Sequence, residues 1–149
     1  MSSLFNQADS NQIIERINHL KPDTKALWGK MNVTQMLAHA QPPLKVASGH
    51  LTLKRGLIGL LFGKMAKKQL LGDKPFKQNL PTAKEFMIKD YGEFESERQK
   101  LIQQLKEFQI KGPRGLSDDP HPFFGKLTSG EWDLIQWKHL DHHLRQFGV

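Results

Sequence analysis

Helix-start signals recur along this chain and restrict its fold more than any other feature. In a capping box, a Ser, Thr, Asp or Asn and a Glu or Gln three residues later each satisfy an otherwise unpaired N–H of the first helical turn. Four tetrapeptides fit or approach this pattern: D-S-N-Q at 9–12, N-V-T-Q at 32–35, T-A-K-E at 82–85 and T-S-G-E at 128–131. They predict four main helices.

Apolar residues at helical spacing follow each of these starts. The predicted helices cover residues from about 10 to 20, from 33 to the proline pair at 42–43, from about 83 to 109, and from about 129 to 146. Because Pro42 and Pro43 cannot donate backbone hydrogen bonds, we expect the second helix to end or bend just past His39.

Signals for β-structure are poor. The sequence has no run of β-branched residues with a period of two, and no Asn-Gly or Asp-Gly hairpin. It therefore predicts an all-α fold, in the form of an antiparallel four-helix bundle with a long crossover between the second and third helices. At 149 residues, a single domain covering 1–149 is expected.

The predicted crossover contains an apolar and basic stretch, LKRGLIGLLFGKMAKKQLL, at 53–71. One interpretation is an amphipathic helix that lies on a membrane surface. The other is a segment that packs over the open side of the bundle. The sequence favours packing, because Gly56, Gly59 and Gly63 weaken a free-standing helix and no lipidation signal accompanies the stretch.

The composition limits which chemistry and which binding partners are possible for this chain. Cysteine is absent, which excludes disulfides, cysteine nucleophiles and thiolate metal sites, so any metal must be held by His, Asp or Glu. A net charge of +7 raises nucleic acid as a partner. The charges are spread along the chain, however, and no recognition motif accompanies them. We therefore do not expect nucleic-acid binding.

The N-terminal segment and the apolar runs indicate a cytoplasmic protein. The first residues, MSSLFNQADSNQ, lack the charged and apolar regions of a signal peptide. The longest apolar run, at 56–63, is far shorter than the ~20 residues that cross a bilayer. No transmembrane segment is predicted.

Three of the seven histidines lie in the last predicted helix, in KHLDHHLRQFGV at 138–149. His139 and His143 are four residues apart, so both imidazoles can reach one ion from the same helix face. His139 and His142, three residues apart, are also close. Since a catalytic metal site usually has three protein ligands, this helix needs a further ligand from elsewhere.

Four other histidines could supply that ligand: His19, His39, His50 and His121. His39 is the best placed, because it adjoins the apolar stripe of the second helix and can face the bundle interior. The alternative is that the histidines of the last helix simply form a solvated helix end, where they interact favourably with the helix dipole. Spacing alone leaves the two alternatives open.

Two segments resemble the DinB superfamily of four-helix bundles: WGKMNVTQMLAHAQ at 28–41 and HPFFGKLTSGEWDLIQWKHLDHHLRQFGV at 121–149. The likeness extends over nearly the whole chain. Proteins of that superfamily typically hold a divalent metal, often zinc or nickel, with one histidine from the second helix and two from an H-x-x-x-H in the fourth. The resemblance implies His39, His139 and His143 as metal ligands and leaves His142 outside the set.

The same resemblance implies a metal-dependent enzyme. The first expectation is an S-transferase that uses a low-molecular-weight thiol, and the alternative is a metal-dependent hydrolase or isomerase. The partner would then be a small-molecule substrate or a thiol, and a homodimer stays open. A non-catalytic helical module for protein interaction or membrane-peripheral binding is the other alternative, motivated by the stretch at 53–71. No catalytic residue beyond the metal ligands is predicted.

A ligating histidine usually donates its second ring N–H to a carboxylate, a carbonyl or water. Gln35, Glu131 and Asp141 are close in sequence to the proposed ligands and are candidates for this role, although each also fits a helix cap or a surface position. The tryptophans at 28, 132 and 137 could line a pocket, and simple core packing is the competing interpretation.

Overall fold

The computed structural model describes residues 2–54, 56–82 and 84–149, and within these ranges the chain is helical and contains no β-strand. The α-helices are α1 (Gln7–His19), α2 (Val33–His39), α3 (Gln41–Ala47), α4 (Leu57–Leu70), α5 (Phe94–Lys111) and α6 (Ser129–Gln146), with 3₁₀ turns at Lys84–Phe86 and Gly112–Gly115. The predicted all-α class is confirmed.

The capping box at 128–131 forms as predicted and begins α6. The Thr128 hydroxyl accepts the backbone N–H of Glu131 at 3.3 Å, and the Glu131 carboxylate accepts the backbone N–H of Thr128 at 2.8 Å. The observed helix has the predicted bounds, 129–146. Because these reciprocal bonds satisfy two donors that a helix start leaves unpaired, they stabilise α6 at this register.

The first helix begins earlier than predicted. Asn6 caps α1, because its side-chain oxygen accepts the backbone N–H groups of Ala8 and Asp9 at 2.9 and 3.1 Å. The Asp9 carboxylate instead accepts the backbone N–H of Ser3 at 2.9 Å. The predicted start at 9–12 is therefore wrong, since another polar residue with the same capping ability lies one turn upstream.

The third predicted helix also differs at its start. Its predicted first residue, Ala83, lies outside the described residues; Lys84–Phe86 form a short 3₁₀ turn, and α5 begins at Phe94. No side chain caps α5 at its N-cap residue. The Glu97 carboxylate instead accepts the backbone N–H of Gly92 at 3.0 Å, which ties the incoming chain to the first turns of the helix.

A break after His39 separates α2 from α3, as the proline pair predicts. Pro42 and Pro43 occupy the first turn of α3, where a missing backbone N–H costs little. The same missing N–H groups cannot bond the carbonyls of Ala38 and His39, four residues earlier, so the hydrogen-bond ladder of α2 ends there. His39 is consequently the last residue of α2.

The helix α5 packs against α1, α2 and α3, while α6 packs against α1 and α3. Apolar side chains from these helices form a buried cluster that includes Ile17, Leu37, Leu44, Leu105 and Leu144. Removing such side chains from water is the main favourable term in folding. This packing brings the end of α2 beside the second half of α6, which is where the predicted ligands lie.

The stretch at 53–71 forms α4 over most of its length, with Arg55 outside the described residues. Its buried side carries Gly59 and Gly63, which lie against the backbone of Pro122 and Phe123. The helix thus packs on the loop that precedes α6. In the part of the chain that is described, no helix combines the length and apolar character needed to cross a membrane.

Candidate metal centre

The three predicted ligands come together in space. The Nε2 atom of His139 lies 3.2 Å from the Nε2 atom of His39 and 3.2 Å from the Nε2 atom of His143. His39 is at the end of α2, and the other two rings occupy successive turns of α6. One nitrogen of each ring lies within 4.8 Å of the other two, so the group could hold a metal ion.

A backbone carbonyl orients the His39 ring. Its Nδ1 atom lies 2.9 Å from the carbonyl oxygen of Phe86, in the 3₁₀ turn that precedes α5. Since a carbonyl can only accept, Nδ1 must carry the proton and donate it. The Nε2 atom then holds a free lone pair directed at the other two rings, which is the form of histidine that binds a metal.

Gln146 orients the His143 ring in the same way. The Gln146 side-chain nitrogen donates to the carbonyl oxygen of Trp28 at 2.8 Å, so its side-chain oxygen faces His143 and accepts from Nδ1 at 2.8 Å. Gly29 leaves room for this amide, because a Cβ atom there would lie 2.5 Å from the Gln146 nitrogen. The φ of Gly29, +82°, also suits glycine. The His143 Nε2 lone pair therefore points into the group.

Burial holds all three imidazoles in the neutral, ligating form. Desolvation lowers the pKa of His39 despite the opposing bond to Phe86. Burial, and then the proximity of His143 and His39, lower the pKa of His139 well below its usual value. Burial together with the proximity of His39 lowers the pKa of His143 to about 3, although the bond to Gln146 opposes the shift. No proton has to leave these rings at neutral pH before a metal binds.

The donor set fits a divalent transition-metal ion. Two nitrogens bound tetrahedrally at the usual zinc distance of about 2.0–2.1 Å are separated by about 3.3 Å, and two of the three Nε2 separations in the group are 3.2 Å. The Nδ1 atom of His139 is buried and has no hydrogen-bond partner among the described residues, so protein contacts orient two of the three rings.

The remaining histidines lie outside the group. His142 is half-buried, and its ring centroid is 5.9 Å from that of Trp28 and 6.0 Å from that of Phe76. His19 and His50 are exposed. The i+4 neighbour of His139 thus joins the group, whereas its i+3 neighbour lies near two aromatic rings.

The supporting residues suggested by the sequence have other partners. Gln35 donates to the carbonyl of Ile88, and Glu131 takes part in the capping box and pairs with Lys67. Asp141 pairs with two arginines. Gln146 performs the role instead. It is three residues from His143, a spacing at which helix side chains meet, and this is the signal that could have found it. The role of the Phe86 carbonyl could not be predicted from the sequence, because every residue has a backbone carbonyl whatever its side chain.

His121 forms a separate, structural site. Its Nδ1 atom accepts the backbone N–H groups of Phe123 and Phe124 at 3.1 and 3.3 Å, and its ring stacks on Phe124 with centroids 4.3 Å apart. Accepting these bonds requires a neutral ring. Burial lowers the pKa of His121 to about 4, so the folded protein resists its protonation.

We expect His121 to make folding stability fall as the pH drops. The unfolded chain binds this proton near pH 6.5 and the folded chain only near pH 4, so stability is lost progressively between these values. The loss at pH 5 should be about 2 kcal/mol relative to neutral pH. In His121→Asn, whose amide oxygen still accepts the two N–H groups, urea unfolding at several pH values should lack this contribution. Parallel pH dependence in the two proteins would contradict the prediction.

The described chain is thus a helical protein in which three histidines, two of them buried, could hold a metal ion. The family described as Protein of unknown function (DUF1569) matches residues 3–148, and the chain belongs to that family. Searches of curated proteins and of solved structures both return no match.

Proposed function

We propose that this protein is a metal-dependent enzyme of the DinB superfamily in which His39, His139 and His143 hold a divalent ion, zinc or nickel. The observation that carries the proposal is the convergence of three neutral imidazoles, with Nε2 separations of 3.2 Å for two pairs. Two of the rings are locked by acceptors on their outer nitrogens. Acceptors on the outer ring nitrogen fix the tautomer and orientation of histidines that bind a metal, and this supports a metal-binding role.

We also infer that the helices form the antiparallel four-helix bundle of that superfamily. The four members would be α1, the broken pair α2–α3, α5 and α6, with the crossover running through α4. The packing of α5 against α1, α2 and α3, and of α6 against α1 and α3, supports this arrangement. So does the origin of the histidine group, which comes from the second and last members.

The reaction we propose is the transfer of a low-molecular-weight thiol to an electrophilic small molecule. A bound divalent ion would supply a Lewis-acid position that favours the thiolate form of a thiol. The histidine group contains no carboxylate, and the nearby Asp141 is held by Arg16 and Arg145 at 2.9 Å each. A thiol needs less help from a general base than water does, so this environment favours thiol transfer over hydrolysis.

Residues around the group define where a small molecule would bind. His39 and His143 are buried, whereas His139 retains some exposed surface, so a small molecule would approach the group on the side of His139. The ring of His142, next to His143 in the sequence, lies near the rings of Trp28 and Phe76. These rings offer an apolar wall with one imidazole, which suits the aliphatic or aromatic part of a substrate.

A transfer assay tests the proposal. Purified protein, loaded with zinc or nickel, is mixed with a panel of low-molecular-weight thiols and a haloalkyl fluorogenic acceptor; sulfur displaces halide from carbon, and the thiol proton goes to solvent. We expect at least one thiol to react tenfold or more faster, about 1.4 kcal/mol in barrier, than with chelator-treated protein. Identical rates with and without metal for every thiol contradict the transferase.

A further inference from the structure

Two glycines form the closest contact of α4 with the rest of the chain. Gly59 and Gly63 are buried, and a Cβ atom at Gly59 would lie 2.7 Å from the carbonyl oxygen of Pro122. A Cβ atom at Gly63 would overlap the carbonyl oxygen of Phe123. At these two positions the helix packs backbone to backbone on the loop before α6, and only glycine fits there.

The outer side of α4 carries large apolar side chains instead. Leu60, Leu61, Phe62 and Met65 are 56%, 75%, 55% and 69% exposed. A helix whose only task is to cover its own domain turns such side chains inward and polar ones outward. The reversal in α4 leaves neighbouring apolar side chains in water, and contiguous exposed apolar surface is a mark of an interaction site.

Positive charge accompanies this surface. The helix contains no Asp or Glu, and its exposed side carries Lys64 and Lys68, one turn apart. Lys67 pairs with Glu131 at 2.8 Å, but no ion pair among the described residues involves Lys64 or Lys68. Two like charges at this spacing repel each other and gain from an anionic partner.

Contacts at the C-terminal half of α4 fix the orientation of the helix. Lys138, on α6, donates from Nζ to the carbonyl oxygens of Leu70 and Gly72 at 2.6 Å each. The pair between Lys67 and Glu131 adds a second link to α6. The apolar surface is thus held outward, on the helix that is tied to the residue preceding His139.

We propose that the outer face of α4, formed by Leu60, Leu61, Phe62, Met65 and the two unpaired lysines, docks on anionic lipid membranes. The helix has 14 residues, too few to span a bilayer, so it would lie in the interface with its apolar side chains inserted. The lysines would contact anionic headgroups, each contributing to attraction at low salt.

Charge and side-chain type favour lipid over other occupants. A second copy docked face to face through α4 would bring both lysine pairs into one interface, and the helix has no Asp or Glu to compensate them, which is repulsive. Nucleic acid would attract the lysines but give nothing to exposed leucine and methionine. A membrane surface accommodates both the apolar side chains and the lysines. The net charge of +7 adds long-range attraction.

Co-sedimentation of the full chain with vesicles tests this proposal. We expect binding to phosphatidylcholine vesicles that contain about one third phosphatidylserine, weak binding to phosphatidylcholine alone, and release as salt rises from about 0.05 to 0.5 M. Leu61→Ser/Met65→Ser should reduce binding at least tenfold, and Lys64→Glu/Lys68→Glu at least fivefold. Ile110→Ser, at an equally exposed apolar position on α5, is the matched control and should bind as the wild type does.

Each alternative result overturns the proposal. Absence of wild-type binding to anionic vesicles at low salt does so directly, as does equal binding by Leu61→Ser/Met65→Ser. If light scattering shows a wild-type dimer that becomes a monomer in that variant, and vesicles bind neither, the occupant is a second copy. Since these positions are exposed, circular dichroism should show every variant folded. The assay does not depend on the histidine group, so it is independent of the enzyme proposal.

Discussion

Replacing His139 and His143 together with alanine is expected to remove zinc or nickel from the protein. The wild type, purified without a histidine tag after growth with added metal, should carry about one ion per chain, and the double variant less than about a tenth of that. One imidazole, His39, remains in the variant, and a single protein ligand does not hold an ion against dilution. Elemental analysis by mass spectrometry gives both the amount and the identity of the metal.

His142→Ala is the matched control for this experiment. It removes an imidazole from the same helix, next to a proposed ligand, but this imidazole lies near Trp28 and Phe76 and is not part of the group. Its metal content should equal that of the wild type. A metal-free wild type would contradict the ligand assignment. So would a loss in His142→Ala as large as the loss in the double variant.

Local signals predicted the parts of this molecule that depend on neighbouring residues. The bounds of α6 follow from reciprocal bonds between Thr128 and Glu131, three residues apart. The end of α2 follows from two prolines that lack N–H groups. The histidine spacing in α6 is also a local signal, because residues i and i+4 meet on any helix. That His39 reaches the same point depends on the packing of whole helices, and the resemblance to a known superfamily supplied that step.

Features that depend on backbone atoms far away in the chain could not be predicted from the sequence. The acceptor for His39 is the carbonyl of Phe86, which any residue would offer, and its position follows from the 3₁₀ turn before α5. The glycines of α4 suggested a weak helix. In the structure they are its packing surface, because their missing side chains admit the backbone at 122–123. A glycine pattern alone does not distinguish these two outcomes.

Replacing Gln146 with leucine is expected to weaken zinc binding by roughly 10–100-fold while all three histidines stay in place. The Gln146 oxygen accepts the His143 Nδ1–H at 2.8 Å, and this bond keeps the Nε2 lone pair directed at His39 and His139. Leucine fills a similar volume but offers no acceptor, so the ring can rotate and leaves a buried N–H unpaired. Competition with a chromophoric chelator measures the zinc affinity of each variant.

Gln146→Glu separates the orientation of His143 from the packing of the turn at Trp28. A carboxylate still accepts the Nδ1–H of His143, but it cannot donate to the Trp28 carbonyl, which now accepts from Gln146 at 2.8 Å. We expect this variant to keep zinc affinity within about threefold of the wild type, and to lose about 1–3 kcal/mol of unfolding free energy. Equal losses of affinity in both variants would mean that Gln146 acts by holding the turn in place, because only the leucine variant removes the acceptor that faces His143.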